Sequence, residues 1–120
     1  MNITHTLVVL DAANIDEVST FWAGVLGGQV EADDDWHTVN VDGIARLAVQ
    51  LAPNHVRPDW PDGEPQQIHL DLQVTDVAAA HEEVTGLGAR PLGGVKDLTA
   101  PEGFQVYADP AGHPFCLCWG

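Results

Sequence analysis

The chain has 120 residues, of which 45% are hydrophobic, and this length and composition fit one globular domain with a buried core. Eighteen acidic residues against four lysines and arginines give a formal charge of −14, which disfavours nucleic acid and anionic membranes as main partners. No apolar run is long enough to span a membrane, and the N-terminus lacks the basic segment of a signal peptide, so we expect a cytoplasmic protein.

The first half of the chain predicts a strand, a helix and three further strands. The β-branched run at 4–10 is typical of a strand, and a helix follows from the cap residue Asn14 to the glycine pair at 27–28. Alternating or short apolar runs then predict three strands, at 29–33, 36–42 and 45–51.

The second half repeats this order after a linker at about 53–65 that contains four prolines. The segment at 67–74 alternates like a half-buried strand, and a helix follows from the cap Asp76 to Gly88. Three more extended segments complete the half, at 89–95, 104–109 and 114–119. The chain therefore predicts two βαβββ modules in a single domain, at about 1–52 and 66–120.

Equal spacings in the two halves support the repeat. Leu7 precedes the cap of its helix by seven residues, and His69 precedes the cap of the second helix by the same number. In the last strands, Gly43 leads to Leu47 at the spacing by which Gly112 leads to Cys116. Leu7 and Leu47 are therefore predicted to correspond to His69 and Cys116.

This organisation resembles the vicinal oxygen chelate superfamily, which includes glyoxalases, bleomycin-resistance proteins and extradiol dioxygenases. The resemblance extends over the whole chain and is carried by "FWAGVLGG", by the segment that begins "PQQIHLDLQVTD" and by the ending "VYADPAGHPFCL". It is greatest for the small glyoxalase-like proteins common in actinobacteria. It implies an α+β fold in which two βαβββ modules form paired half-barrel sheets around a ligand cavity.

The resemblance also locates the positions at which family enzymes hold a divalent metal. Those enzymes take His, Gln or Glu from the first and last strands of each module, and the matching positions here are Leu7, Leu47, His69 and Cys116. Leucine offers no donor atom, so we expect the usual metal site to be absent and predict no cofactor. The remaining candidate is a zinc site of His5, His69 and Cys116, because His5 shares a strand face with Leu7.

Two polar residues on the first strand of the second module have two interpretations. His69 and Asp71 lie two apart and point to the same face of the predicted strand. They could act together as a general base, or they could satisfy each other's hydrogen bonds on the floor of a pocket. No nucleophile motif accompanies them, since the only serine, Ser19, lies within a helix.

Four tryptophans bear on the type of ligand. Trp22 fits the apolar stripe of the first helix and is predicted to lie in the core. Trp36 begins a strand and Trp60 lies in the linker, so either could stack on a flat ligand or pack at an edge.

The hydroxyl of Tyr107 could point into the cavity or to solvent, and His81 is predicted to lie on the solvated face of its helix.

These observations favour a metal-independent binding protein that sequesters an apolar aromatic compound, such as an antibiotic or natural product, as the bleomycin-resistance branch does. The predicted ligand-binding residues are His5, Leu7, Trp36, Leu47, Trp60, His69, Asp71, Tyr107 and Cys116. The alternative is a glyoxalase-like lyase, isomerase or dioxygenase that uses an atypical metal site or a His69/Asp71 acid–base pair. A homodimer is expected, because the linker and Trp119 offer apolar contact surface.

Overall fold

The computed structural model describes residues 2–120 and arranges them as two βαβββ modules. Its helices are α1 (Ile15–Leu26) and α2 (Val77–Leu87). Its strands are β1 (Val8–Ala12), β2 (Gln29–Ala32), β3 (Trp36–Val41), β4 (Ile44–Leu51), β5 (Leu70–Gln73), β6 (Arg90–Pro91), β7 (Gly103–Ala108) and β8 (Pro114–Trp119). The predicted α+β fold of two modules is confirmed. No helix among the described residues is both long and apolar enough to cross a membrane.

The chain divides into two compact units, the first ending at His55 and the second running over Val56–Gly120. Each unit holds one four-stranded sheet, ordered β1-β4-β3-β2 in the first and β5-β8-β7-β6 in the second. The first and last strands of each module pair in parallel, and the other neighbours are antiparallel. The two modules therefore share one topology.

Both helices begin and end at the residues that the sequence indicates. The Asn14 side chain accepts a hydrogen bond from the Glu17 N–H at 3.2 Å, and Asp76 accepts one from the Ala79 N–H at 3.0 Å. These caps satisfy backbone donors that the first helical turn leaves unpaired. Gly88 ends α2 at a φ of 116°, a left-handed conformation that glycine adopts without steric cost.

One face of the first sheet packs against α1. His37 Nδ1 lies 2.8 Å from the Ser19 hydroxyl of α1, so His37 points to the helix. Val39 shares this side of β3 by alternation, and its cross-strand partner Leu47 is 2% exposed. We call this side of each sheet the helix side and the opposite side the helix-free face.

The second sheet packs against α2 in the same way. The Tyr107 hydroxyl lies 2.8 Å from His81 Nδ1, and the Tyr107 ring stacks on Phe115 with ring centroids 5.4 Å apart. Ser19 and His81 are each the fifth residue of their helices, so both modules join helix to sheet by a polar pair at the same helical position. His81 is therefore half-buried and bonded, contrary to the predicted solvated histidine.

The β3–β4 pair contains an irregularity that changes the predicted correspondence between the modules. Asn40 pairs with Ala45, but the preceding Val39 pairs with Leu47, so β4 carries one extra residue at Arg46. The β7–β8 pair runs without such a shift. Because one extra residue moves a side chain to the other face of a sheet, Leu47 turns towards α1 and does not match Cys116.

The strand register identifies the residue that does match. Asp71 precedes its helix cap by five residues and pairs with Cys116 on β8. Val9 precedes Asn14 by the same five residues and pairs with Ala48 on β4. Ala48, and not Leu47, therefore occupies the position in the first module that Cys116 occupies in the second.

Two strands are also displaced from their predicted bounds. The first was predicted at 4–10 and lies at Val8–Ala12, so His5 and Leu7 precede it. The strand predicted at 67–74 is shorter, at Leu70–Gln73, and His69 directly precedes it. In both cases the apolar and β-branched run in the sequence is longer than the segment that hydrogen-bonds to a partner strand.

Candidate functional site

A histidine, a carboxylate and a thiol converge on the helix-free face of the second sheet. Phe115 faces α2, so its neighbour Cys116 points to the opposite side of β8. Asp71 pairs with Cys116 across the parallel β5–β8 ladder, and His69 lies two residues before Asp71. We call His69, Asp71 and Cys116 the polar trio.

The donor atoms of the polar trio lie close together. His69 Nε2 is 3.4 Å from Asp71 Oδ1, and one ligand atom from each of the three residues lies within 4.8 Å of the others. The His69 and Asp71 side chains are 51% and 61% exposed, whereas Cys116 is 8% exposed. The trio therefore has a buried sulfur beneath two accessible polar groups.

The surroundings of Cys116 keep its thiol protonated at neutral pH. Burial is the largest cause and raises the pKa of Cys116 to about 11, and the negative charge of Asp71 and a hydrogen bond to it act in the same direction. The thiol thus donates to the Asp71 carboxylate. Burial also raises the pKa of Cys118, the next residue on this face of β8.

A cation lies on the same face of the sheet. Phe104 on β7 pairs with Cys118, and the Lys96 ammonium sits 3.4 Å from the centre of the Phe104 ring. The buried Gln105 side chain holds this loop, accepting from the Lys96 N–H at 2.8 Å and donating to the Gly94 carbonyl at 3.1 Å. Attraction between the ammonium and the ring face fixes a positive charge on this surface.

The two predicted stacking residues lie in different units. Trp36 is half-buried at the start of β3, and because His37 faces α1, Trp36 lies on the helix-free face of the first sheet. Its indole N–H donates to the Thr38 hydroxyl at 3.2 Å. Trp60 is half-buried in the segment before β5, where its ring lies against Gly93 of the second unit.

The remaining predicted ligand-binding residues fall into two groups. His5 is exposed and Leu7 half-buried in the segment that precedes β1. Leu47 and Tyr107 lie on the helix sides of their sheets, where Leu47 is 2% and Tyr107 0% exposed. Trp22 is buried in α1, as predicted.

Sequence reasoning named all three members of the polar trio but proposed His5, in the other unit, as the third metal ligand. The structure brings Asp71 beside His69 and Cys116 instead. A parallel pairing of the first and last strands places "HLD" next to "FCL", and this is the signal that could have found the trio. Lys96 and Phe104 carry no motif and were missed.

The family's full set of four metal-binding positions does not fit a metal in this chain. In the first module those positions carry Leu7 and Ala48, neither of which has a donor atom in its side chain. The first module therefore offers no side-chain ligand at these positions. The donors that the structure does bring together, a possible metal-binding set, are all in the second module.

Comparisons with known proteins identify the family. FosX from Listeria monocytogenes, a fosfomycin resistance protein, is 12% identical with a TM-score of 0.72, covering 100% of this chain and 93% of that one. TnmS3, an antibiotic binding protein from Streptomyces sp. CB03234, is 24% identical with a TM-score of 0.60, covering 99% and 98%. No curated protein sequence matches the chain. Residues 7–118 match the glyoxalase-like domain family, and the chain therefore belongs to this family of the vicinal oxygen chelate superfamily.

Proposed function

We propose that this protein binds and sequesters a small apolar aromatic compound, such as an antibiotic or natural product, without the metal that family enzymes share between modules. The observation that carries the proposal is the lack of donor side chains at the first-module positions, Leu7 and Ala48. The likeness to TnmS3, itself an antibiotic binding protein, supports a binding role.

The proposed ligand contacts combine aromatic and polar groups. Trp36 and Trp60 supply flat, rigid surfaces for an aromatic ring, at a small cost in side-chain entropy. The exposed Asp71 carboxylate would accept a hydrogen bond from an amine or phenol on the ligand. The other proposed contacts are His5, Leu7, His69 and Cys116. Leu47 and Tyr107 are omitted, because both are buried against helices.

Calorimetric titration of chelator-treated protein with a panel of planar aromatic antibiotics tests this function. We expect saturable one-to-one binding that is unchanged by the chelator. Trp36→Ala or Trp60→Ala should weaken it by at least about tenfold, the equivalent of about 1.4 kcal/mol. Trp119→Phe is the matched control, because the Trp119 indole N–H is bonded to the Ala100 carbonyl and is not a proposed contact. Binding that disappears on chelation would overturn the proposal.

An enzyme is the second candidate function, favoured by the proximity of His69, Asp71 and Cys116. A glyoxalase-like lyase, isomerase or dioxygenase would use the His69/Asp71 pair as acid and base, or a metal held by the trio. In that case His69→Ala should abolish turnover and leave substrate affinity largely intact. For a binding protein the same substitution should change affinity alone, with no chemical change in the bound compound.

We also propose a homodimer. Large apolar side chains at Val56, Ile68 and Phe104 are exposed in the single chain, and their burial would favour association. Light scattering should then give twice the chain mass of 12.8 kDa. A monomer at all concentrations tested would contradict this assembly.

A further inference from the structure

We propose that His69, Asp71 and Cys116 bind one zinc ion within the second module alone, with a fourth coordination position left for water or a ligand group. The site goes beyond the proposed function, which requires no metal. It retains two of the family's metal-binding positions, His69 and Cys116, but adds Asp71 and takes no ligand from the first module.

The backbone of two neighbouring strands places Asp71 and Cys116 together, with His69 directly before the first of them. β5 and β8 are parallel neighbours in register at Asp71 and Cys116, so their side chains leave the sheet side by side. His69 lies on the same face as Asp71, two residues earlier. Two adjacent strands thus supply Asp71 and Cys116, and the residue directly before β5 supplies His69.

The spacing of His69 and Asp71 suits a small tetrahedral ion, and the Cys116 sulfur lies within 4.8 Å of both. Ligand atoms about 2.0–2.1 Å from zinc at tetrahedral angles lie about 3.3–3.4 Å from one another. His69 Nε2 and Asp71 Oδ1 are separated by 3.4 Å. That separation is longer than the roughly 2.7–2.9 Å of a charge-assisted hydrogen bond. The pair therefore has the spacing of two ligands of one ion more nearly than that of a mutual hydrogen bond.

The donor types select zinc over the harder metals. A thiolate, an imidazole and a carboxylate form a mixed sulfur, nitrogen and oxygen set, whereas magnesium and manganese prefer oxygen donors. On binding, the ion replaces the thiol proton of Cys116, which is released to solvent. The thiolate and the Asp71 carboxylate then balance the charge of the dication, and the overall charge of −14 attracts it, although the Lys96 ammonium on the same face opposes its approach.

The exposure of the trio provides an entry path and an open position. His69 and Asp71 are about half exposed, so an ion can reach them from solvent, and the buried Cys116 sulfur closes the site from below. Three protein ligands with one free position is the arrangement of zinc sites that bind or activate a further molecule.

Cobalt titration of chelator-treated full-length protein tests the site directly. We expect one equivalent of Co²⁺ to give a sulfur-to-cobalt charge-transfer band with tetrahedral visible bands, and one equivalent of Zn²⁺ to displace it. Cys116→Ser should remove the charge-transfer band. His69→Ala and Asp71→Asn should each weaken zinc binding by at least about tenfold, since even loss of an outer-shell partner costs that much.

Cys118→Ser is the matched control, because Cys118 lies two residues further along the same strand and face but outside the trio. This variant should retain the band and the zinc affinity of the parent. Circular dichroism should show that each variant keeps the secondary structure of the parent. A cobalt spectrum without a sulfur band, or unchanged zinc affinity in folded Cys116→Ser, would overturn the proposal.

The two proposals fail separately. Zinc-free protein that binds no aromatic compound contradicts the proposed function and leaves the cobalt result intact. Protein that binds aromatic compounds but gives no sulfur-to-cobalt band retains the proposed function and loses the zinc site.

Discussion

Leu47→Ala tests the face on which Leu47 lies, because it should lower stability and leave ligand binding unchanged. Leu47 is 2% exposed on the helix side of β4, and Leu47→Ala removes three carbons. At about 0.8 kcal/mol per methylene, losing the burial of these three carbons costs about 2.4 kcal/mol. The cavity left under α1 adds to this, so we expect a loss of about 3 kcal/mol in the free energy of unfolding.

Urea denaturation followed by tryptophan fluorescence measures this loss. With a slope of about 2 kcal/mol per molar, the midpoint should fall by about 1.5 M. The folded variant should bind ligand as the parent does. Leu7→Ala is the matched control, since partly buried Leu7 should cost only about 1–2 kcal/mol and, as a proposed ligand contact, should weaken affinity. A small loss of stability with weakened ligand binding in Leu47→Ala would refute the assignment of its face.

Three further substitutions or reactions test other parts of the structure. Tyr107→Phe removes the hydroxyl paired with His81 and should cost about 1–2 kcal/mol, measured by the same denaturation; an unchanged midpoint would contradict the buried pair. In folded, metal-free protein at pH 8, iodoacetamide should modify Cys116 at least about tenfold more slowly than in protein unfolded by urea. The rate in the folded protein should rise about tenfold per pH unit up to the pKa of Cys116, about 11. Mass spectrometry of the modified peptide gives the rate, and equal rates in the folded and unfolded protein would show an unburied thiol. Gly103→Ala would place a Cβ 2.8 Å from Cζ2 of Trp119 and should cost about 1–3 kcal/mol with a changed near-ultraviolet circular dichroism signal; retention of both the signal and the stability would contradict this close approach.

The repeated element order could be predicted because each element carries a local signal. Asn14 and Asp76 have the side chains that cap helices, and alternation marks the strands between them. The polar trio was also within reach, since "HLD" and "FCL" alternate regularly and β7–β8 has no bulge to disturb the faces. Counting along the sequence is reliable where the ladder is regular.

The bulge at Arg46 could not be predicted in this way. Neither a glycine nor a proline marks the position, and the extra residue is apparent only from the pairing of β4 with β3. Counting from Gly43 therefore assigned Leu47 to the wrong face, although the spacing from the turn was equal in both modules. A one-residue error in register exchanges a side chain on the helix-free face for one on the helix side of the sheet.

The position of His81 was, by contrast, available from the sequence. His81 lies four residues after Val77 and three before Val84, so it belongs to the buried stripe of α2. A polar residue on such a stripe needs a partner, and Tyr107 supplies it across the sheet. Ser19 has the same relation to Ile15 and Trp22 in α1, so both helices carry a polar residue at this position of the buried stripe.

Both modules join helix to sheet by a polar pair, Ser19 with His37 and His81 with Tyr107, whereas their helix-free faces differ at the matched positions. By register, the corresponding residues of the first and second modules are Leu7 and His69, Val9 and Asp71, and Ala48 and Cys116. Every potential donor in the second module thus corresponds, by register position, to an apolar residue of the first module. Because the first module supplies no ligand at these positions, any metal bound through them depends on the second module alone. Because the trio also supplies proposed ligand contacts, Trp36→Ala is the substitution that tests the proposed aromatic contact while leaving the three proposed zinc ligands in place.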